Sequence, residues 1–495
     1  MEQTHRQLLA QWLQKIDEVI DRGPYRDTWE SLTTHPVPRW YQDAKFGIFI
    51  HWGVYSVPAF FSEWYPRFMY KEGTEVWEHH RKTYGSQSAF GYKQLIPMFK
   101  AEKFDPAAWA ELFRQSGARY VMPVAEHHDG FQMYDSQLSD WTAVKMGPQR
   151  DVLGQLKEEI EKQGMTFTTS SHRIEHYWFM AGLRQSESDL KGEPEYGDLY
   201  WPSVEEPFPE GGQNRPSGFE VDELFMQDWL VRCCELVDKY RPKVLYFDWW
   251  IQVESLKPYL KKFAAYYYNR AAEWGEEVTI NYKNDAFALG AATQDIERGQ
   301  LSQISPLFWQ TCNSVAKNSW GYTVGNDYKD PRDIICDLVD IVSKNGSLLL
   351  NIGPRADGTI PEEDASILRA IGSWLETNGE GIYDTTFWRI PGEGPTDVPS
   401  GAFTDQQRSP YTSEDFRFTR KGSTLYAFAL RWPEDGVVRI KSLGHVSEVF
   451  NGVIRNVEVL GYEGRTEWKR CENYLSVRAA DLCADTPVCL RITTE

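Results

Sequence analysis

Positive charge is in short supply in this chain. Against 72 acidic residues stand 53 basic ones, a formal net charge of −19 over 495 residues. That balance excludes nucleic acid or an anionic membrane surface as the expected partner, because both would be repelled. Long apolar runs are missing too: no stretch reaches the eighteen or so apolar residues of a bilayer span. Cysteine is sparse, with seven scattered residues, Cys233 and Cys234 adjacent, and no CxxC pair. This is the usage of reduced thiols, not of a disulfide framework. No GxGxxG follows the early strands, so the usual mark of dinucleotide binding is lacking and no cofactor is expected. Internal repeats and low-complexity segments are also lacking. The opening "MEQTHRQLLAQWLQKIDEVI" is amphipathic and has no signal-peptide core. The chain therefore either stays in the cell or has had an export signal removed; compartment and oligomeric state stay open.

Aromatic residues, by contrast, are abundant. Twenty Trp, 26 Tyr and 25 Phe make up 14% of the chain. Aromatic faces can pack on the C–H faces of sugars, and they also fill large cores. Seven short apolar runs read as strands buried on both faces: "KFGIFIHW" (45–52), "ARYVMPVAEHH" (118–128), "MTFTTSSH" (165–172), "KVLYFDW" (243–249), "VTINYK" (278–283), "LFWQTC" (307–312) and "SLLLNIG" (347–353). Amphipathic helices alternate with them. "DPAAWAELFRQSG", for example, has Asp105 as N-cap, Pro106 in its first turn and Gly117 as stop. Such alternation predicts an α/β fold with a parallel sheet, a (β/α)8-like (TIM-type) barrel. Near residue 385 the pattern changes. "DTTFWRIPGEGPTDVPSG" reads as a linker or long loop, and short alternating strands follow, "VSEVFNGV" among them. The expected organisation is an N-terminal helical segment packing on the barrel (1–36), the catalytic barrel (37–385) and a C-terminal β-sandwich domain (390–495). The acidic stretch 193–218 is expected near the barrel mouth.

In such a barrel the active site lies at the C-terminal ends of the strands. Five predicted strands end in polar residues there: His51 with Trp52, then His127 and His128 in "EHHDG", His172 in "SSHRIEH", Asp248, and Lys283. One such ending could be structural, and Asp248 alone could cap the segment after it. Five endings predict a polar pocket. A pocket of His, Trp and carboxylates without a cofactor motif suits glycoside hydrolysis, which needs two carboxyl groups. Asp248, beside Trp249 and Trp250, is the candidate nucleophile. For the second carboxyl, Glu63, Glu126, Glu175 and Glu297 all lie near predicted strand ends, and the pattern leaves the choice open; Glu297 in "QDIERGQ" reads as a loop residue after the fifth strand. "HRIEH" (172–176) matches H-x-x-E-H, so a zinc hydrolase using His172 and His176 is an alternative. His79 and His80 in "WEHHRK" read as surface residues.

Several longer motifs resemble the α-L-fucosidases of glycoside hydrolase family 29. They are "KFGIFIHWGVYSVPAFFSEWY" (45–65), "EHHDGFQMYDSQLSDW" (126–141), "RDVLGQL" (150–156), "NSWGY" (318–322) and "VSKNGSLLLNIGPRADGTIP" (342–361). The resemblance runs from about residue 36 to residue 390. It implies a barrel followed by a β-sandwich and a retaining, exo-acting attack on terminal α-L-fucose of a fucosylated glycan, with no metal. By position it implies that Asp248 is the nucleophile and that His51, Glu63, Trp64, His127 and His128 bind sugar hydroxyls. Lys283 stands where many members carry an arginine, and Trp320 matches an aromatic near the fucose methyl group. His172 stands where relatives often have a tyrosine. Many members read W-E-T where this chain reads "FWQTC", so Gln310 replaces a glutamate and cannot donate a proton as an acid does. Glu297 resembles the loop acid of a subgroup and takes the acid/base role. The loss of the W-E-T glutamate leaves a carbohydrate-binding protein on an inactive hydrolase scaffold as the remaining alternative.

Overall fold

The structure, a computed structural model, describes residues 2–205 and 220–495. Eight parallel strand positions close into a barrel. They are β1 (Phe46–Ile50), β2 (Tyr120–Glu126), a third position split into β3 (Thr166–Phe167) and β4 (Thr169–Ser171), β5 (Val244–Phe247), β6 (Thr279–Tyr282), β7 (Thr293–Glu297), β8 (Trp309–Ser314) and β9 (Gly346–Ile352). β1 pairs with both β9 and β2, which closes the ring. Seven of these positions coincide with the predicted strands. The eighth, β7, was read as loop. Its sequence TQDIE has no apolar run, because Thr293, Asp295 and Glu297 point inward while Gln294 on the other face stays partly exposed. No helix joins β6 to β7 or β7 to β8 within the described residues, so nothing demands that the outer face of β7 be apolar.

Period-two alternation sorts every strand into an inner and an outer face. Phe49, Tyr120, Met122, Val124, Val244, Tyr246, Cys312 and Leu349 form the core inside the ring. The outward residues Phe46, Ile48, Ile50, Val121, Leu245, Phe247, Ile280, Leu348 and Leu350 join the larger core beneath the helices. The principal surrounding helices are Pro106–Gln115, Val152–Lys162, Glu223–Tyr240, Lys257–Trp274, Pro331–Ser343 and Glu362–Asn378. Asp105 caps the first of them by accepting from the Ala107 and Ala108 N–H groups. The N-terminal helix Glu2–Arg22 packs on Glu223–Tyr240 and Lys257–Trp274.

After the barrel come antiparallel sheets. β10 (Thr386–Glu393), β11 (Phe416–Lys421), β12 (Thr424–Ala429), β17 (Val488–Thr494) and β14 (Ile454–Val459) form one in that order. β13 (Val437–Ile440), β16 (Leu475–Arg478) and β15 (Glu467–Arg470) form the other. They enclose a separate core around Phe416, Phe418, Ile440, Leu475 and Leu490. The first half of the expected linker is thus strand β10, and "VSEVFNGV" is not a strand but a series of bends. His80 is not a surface residue: it is buried, its ring bonded to the Tyr65 hydroxyl at 2.8 Å and to the Phe90 carbonyl at 2.7 Å. Of the acidic stretch 193–218, residues 206–218 lie outside the described residues. Among the described residues no helix is long and apolar enough to cross a membrane.

The inner face of β1 passes so close to β2 that only glycine fits at position 47: a Cβ there would stand 2.4 Å from the buried Tyr120 ring. Gly47→Ala is therefore expected to lower stability by about 1–3 kcal/mol, read as a lower midpoint in thermal or urea unfolding.

Candidate active site

The alternation that builds the core also aims the polar residues. Phe49 points inward, and so does His51 two residues on. Tyr246 precedes Asp248 in the same way, Asn281 precedes Lys283, Asp295 precedes Glu297, and Ser170 precedes His172. Each inward series ends at the C-terminal rim of the barrel in a group that can bond or titrate. After three of these ends the backbone enters the left-handed region: at Trp250 (φ 76°), Asn284 (φ 56°) and Arg298 (φ 44°). Non-glycine residues seldom sit there. The turns carry the chain away while Asp248, Lys283 and Glu297 stay facing the axis.

Together these groups line a pocket of about 190 Å³. Ten of the residues singled out in the sequence are on its wall: His51, Glu63, Trp64, His127, His128, His172, Asp248, Lys283, Glu297 and Trp320. Five further lining residues were not singled out: Phe49, Tyr246, Trp249, Cys312 and Phe403. Strand parity could have found Phe49 and Tyr246. Nothing in the sequence places Phe403 there, since it lies beyond the barrel. The volume falls below the usual range for extended organic ligands and suits a single ring.

Asp248 is held on several sides. His172 Nδ1 bonds its Oδ2 at 2.9 Å, His128 Nε2 lies 3.6 Å from the same oxygen, and the Trp249 N–H donates to Oδ1 at 2.9 Å. Lys283 Nζ is 3.8 Å from Oδ1. Burial opposes ionisation of Asp248, but His172, Lys283 and His128 outweigh it and hold the carboxyl well below its usual range. Glu297 bonds Lys283 Nζ at 2.8 Å. Burial pushes its pKa up, the neighbouring Asp248 adds to this, and Lys283 only partly offsets it. One ammonium thus bridges two carboxyl groups whose proton affinities are driven apart.

The other candidate carboxyls are placed differently. Glu63 lines the pocket, yet its Oε2 accepts from Ser319 Oγ and from the N–H groups of Trp320 and Gly321. Glu126 does not line it. The β2–β4 register shifts between Val124 and Glu126, which turns Glu126 outward, where Arg232 and Arg173 pair with it at 3.1 and 3.3 Å. Glu175 is fully buried against His128 Nε2 at 3.2 Å. Gln310 lies inside the barrel below the pocket. Its Oε1 accepts from the Tyr41 and Tyr120 hydroxyls, and its Nε2 donates to Asp295 at 2.8 Å.

Three of the histidines are driven toward their neutral form. Burial depresses His51 and His127 far below the ordinary imidazole value, and burial together with His172 pushes His128 down to about 3 despite the nearby Asp248. Donor atoms of His51, His127 and His172, and of His128, His172 and Asp248, come within 4.8 Å of one another, so geometry alone would let either group hold an ion. The pairing of His172 with His176 does not form. A 3-10 turn, Arg173–Glu175, separates them, and both nitrogens of His176 face backbone carbonyls, of His128 at 2.7 Å and Trp201 at 3.0 Å.

The chain as a whole can be compared with known proteins. Residues 12–380 match the family model for alpha-L-fucosidase, and residues 408–490 match that for the alpha-L-fucosidase C-terminal domain. The chain is 32% identical to human plasma alpha-L-fucosidase over 451 residues, covering 89% of this chain and 85% of that protein. It is 30% identical to the rat tissue enzyme over 451 residues, covering 90% and 86%. Among solved structures it resembles the Thermotoga maritima alpha-fucosidase in complex with fucose, with a TM-score of 0.72 and 29% identity over 95% of this chain and all of that one.

Neutralising Glu126 and neutralising Glu297 should have unequal structural consequences. Glu126→Gln leaves Arg173 and Arg232 short of buried negative charge and is expected to cost about 3 kcal/mol or more. Glu297→Gln leaves Lys283 with Asp248 and Asp295, so its unfolding midpoint should stay near that of the unmodified protein. Calorimetry of both variants checks the contrast.

Proposed function

Because this chain belongs to the α-L-fucosidase family, we propose that it hydrolyses terminal α-L-fucose from fucosylated glycans, with Asp248 as nucleophile and Glu297 as acid/base. The observation that carries these roles is the Asp248–Lys283–Glu297 bridge. Two carboxyls with proton affinities pushed apart suit glycoside hydrolysis, which requires one ionised and one protonated member. Lys283 also limits their separation. Its Nζ lies 3.8 Å from Asp248 Oδ1 and 2.8 Å from Glu297 Oε2, so the two facing oxygens share one ammonium, and a bent arrangement about it brings them toward the ~5 Å separation of retaining enzymes.

The reaction then runs in two displacements. An ionised Asp248 oxygen attacks the anomeric carbon while the bond to the leaving oxygen breaks and Glu297 gives that oxygen its proton. The fucosyl–Asp248 ester is next attacked by water, whose proton returns to Glu297 as the ester bond breaks. His51, His127, His128, Glu63 and Trp64 are assigned to the sugar hydroxyls, Lys283 to the carboxylate pair and Trp320 to the sugar's methyl group. His172 lines the pocket and also holds Asp248 in its attacking orientation. Gln310, below the pocket, takes no part in proton transfer, so the missing W-E-T glutamate does not make the scaffold inactive. The pocket's size supports exo-action on one terminal residue, and the net charge of −19 supports uncharged glycans over polyanions.

Asp248→Ala should lower kcat by roughly four orders of magnitude. Stereochemistry separates the two roles. Azide added to Asp248→Ala attacks the substrate once and should give β-L-fucosyl azide. Azide added to Glu297→Ala intercepts the ester and should give the α-anomer; NMR of the product decides, and near-normal kinetics of Glu297→Ala on a natural fucoside would rule that residue out. In Lys283→Met both carboxyls lose a group that favours their ionised forms. The acid limb (Asp248) and the alkaline limb (Glu297) of kcat/KM against pH should both move to higher pH.

A further inference from the structure

Two other cavities open beside the pocket. One, of about 460 Å³, shares Glu63, Trp320 and Phe403 with it. The other, of about 240 Å³, shares Trp249, Lys283, Glu297 and Phe403. Only the second reaches Glu297. An acid that protonates the glycosidic oxygen stands at the boundary between the sugar cleaved and the group it leaves with, so the leaving group must lie on the Glu297 side. We propose that the groove between Trp249 and the segment 401–403 is the subsite for the leaving group, that it takes an uncharged hexose residue through a C–H face, and that Phe403 is its platform. The proposal rests on the roles given above to Asp248 and Glu297.

Phe403 does not arrive there by chance. Its N–H donates to the Glu297 carbonyl at 2.8 Å, the Gly401 N–H to the Gln300 carbonyl at 2.8 Å, and the Thr404 and Asp405 N–H groups to the Arg298 carbonyl at 2.9 and 3.0 Å. The approach is so close that a Cβ on Gly299 would stand 1.9 Å from the Gly401 carbonyl oxygen. The post-barrel segment is thereby pinned, in a short ladder, to the chain that leaves Glu297. Phe403 itself sits at φ 56°, a region non-glycine residues seldom occupy, and its large apolar side chain is 38% exposed. Across the groove stands Trp249, half-buried, with Leu301 also on the wall. The polar groups nearest solvent are the neutral amides of Asn284 and Gln294. The charged residues of the same wall, Lys283, Asp295 and Glu297, are paired with one another at 3.3 and 2.8 Å, so two aromatic side chains and neutral amides are left to meet a ligand, which suits a neutral sugar whose C–H face packs on an aromatic ring.

The test compares two substrates. α-L-Fucosyl fluoride carries no leaving-group sugar; the second substrate is the fucosyl disaccharide that the wild type cleaves fastest. Phe403→Ala is expected to lower kcat/KM on the disaccharide at least tenfold more than on the fluoride. Gly299→Ala should act in the same direction, because its Cβ displaces the segment that carries Phe403, and turnover of the fluoride shows that each variant is folded. Equal losses on the two substrates, or no loss on the disaccharide, overturn the subsite and leave the hydrolase reading standing. A wild type inert toward the fluoride overturns that reading and the subsite with it.

Discussion

A single buried ammonium organises the centre of this molecule. Lys283 Nζ lies 2.8 Å from Glu297, 3.3 Å from Asp295 and 3.8 Å from Asp248, with its side chain only 6% exposed. Taking a lysine out of water is expensive, and so is taking out each carboxylate. Here each charge makes the others tolerable. Three carboxyls around one cation cannot all remain ionised comfortably, however, and the imbalance falls on Glu297. Asp248 has His172 and the Trp249 N–H besides Lys283, and Asp295 is fully engaged with Gln310 and Cys312. Glu297 has the fewest donors of the three, and burial together with the neighbouring Asp248 raises its pKa. The asymmetry on which the proposed roles of Asp248 and Glu297 rest is thus a matter of how many donors each carboxyl is given.

That arrangement depends on a ring of strands with a strict period of two. Asp248, Lys283 and Glu297 each stand two residues beyond an inward residue of adjacent strands β5, β6 and β7, and the three left-handed turns that follow prevent the chain from carrying them off the axis. The same rule explains an exclusion. A register shift in β2 turns Glu126 into the helix layer and leaves His127 and His128 to face the pocket. Neighbouring residues in one motif therefore serve different ends. The arginine pair around Glu126 supports the wall, and the histidines beside it form the wall.

The side of the barrel that lacks helices is where the later part of the chain makes itself felt. β7 is left partly uncovered, and segment 401–405 lies against the chain after it through four backbone hydrogen bonds. Gly299 and Phe403 belong to one construction: the first permits the approach that the second exploits. A chain whose barrel was wrapped by eight helices would have had no opening there for a post-barrel residue.

Much of this was legible in the sequence. Seven of the eight strand positions announced themselves because burial on both faces demands apolar runs, and the helices did so through caps and spacing. The strand ends located His51, His127, His128, His172, Asp248 and Lys283, since polar groups closing apolar strands mark the rim of a barrel. The sequence by itself determined the barrel, the sheets that follow and the polar rim. Only the tertiary structure decided that Glu297 ends a strand, because β7 is polar within and uncovered without, and a strand with neither face apolar leaves no pattern. Only tertiary structure, too, separated Glu297 from Glu126 and Glu175, which look alike in sequence and differ in the donors that surround them. The approach of Phe403 across more than a hundred residues was decided there as well. Local pattern records which face of an element must be buried; it does not record which distant segment will cover the face that is left.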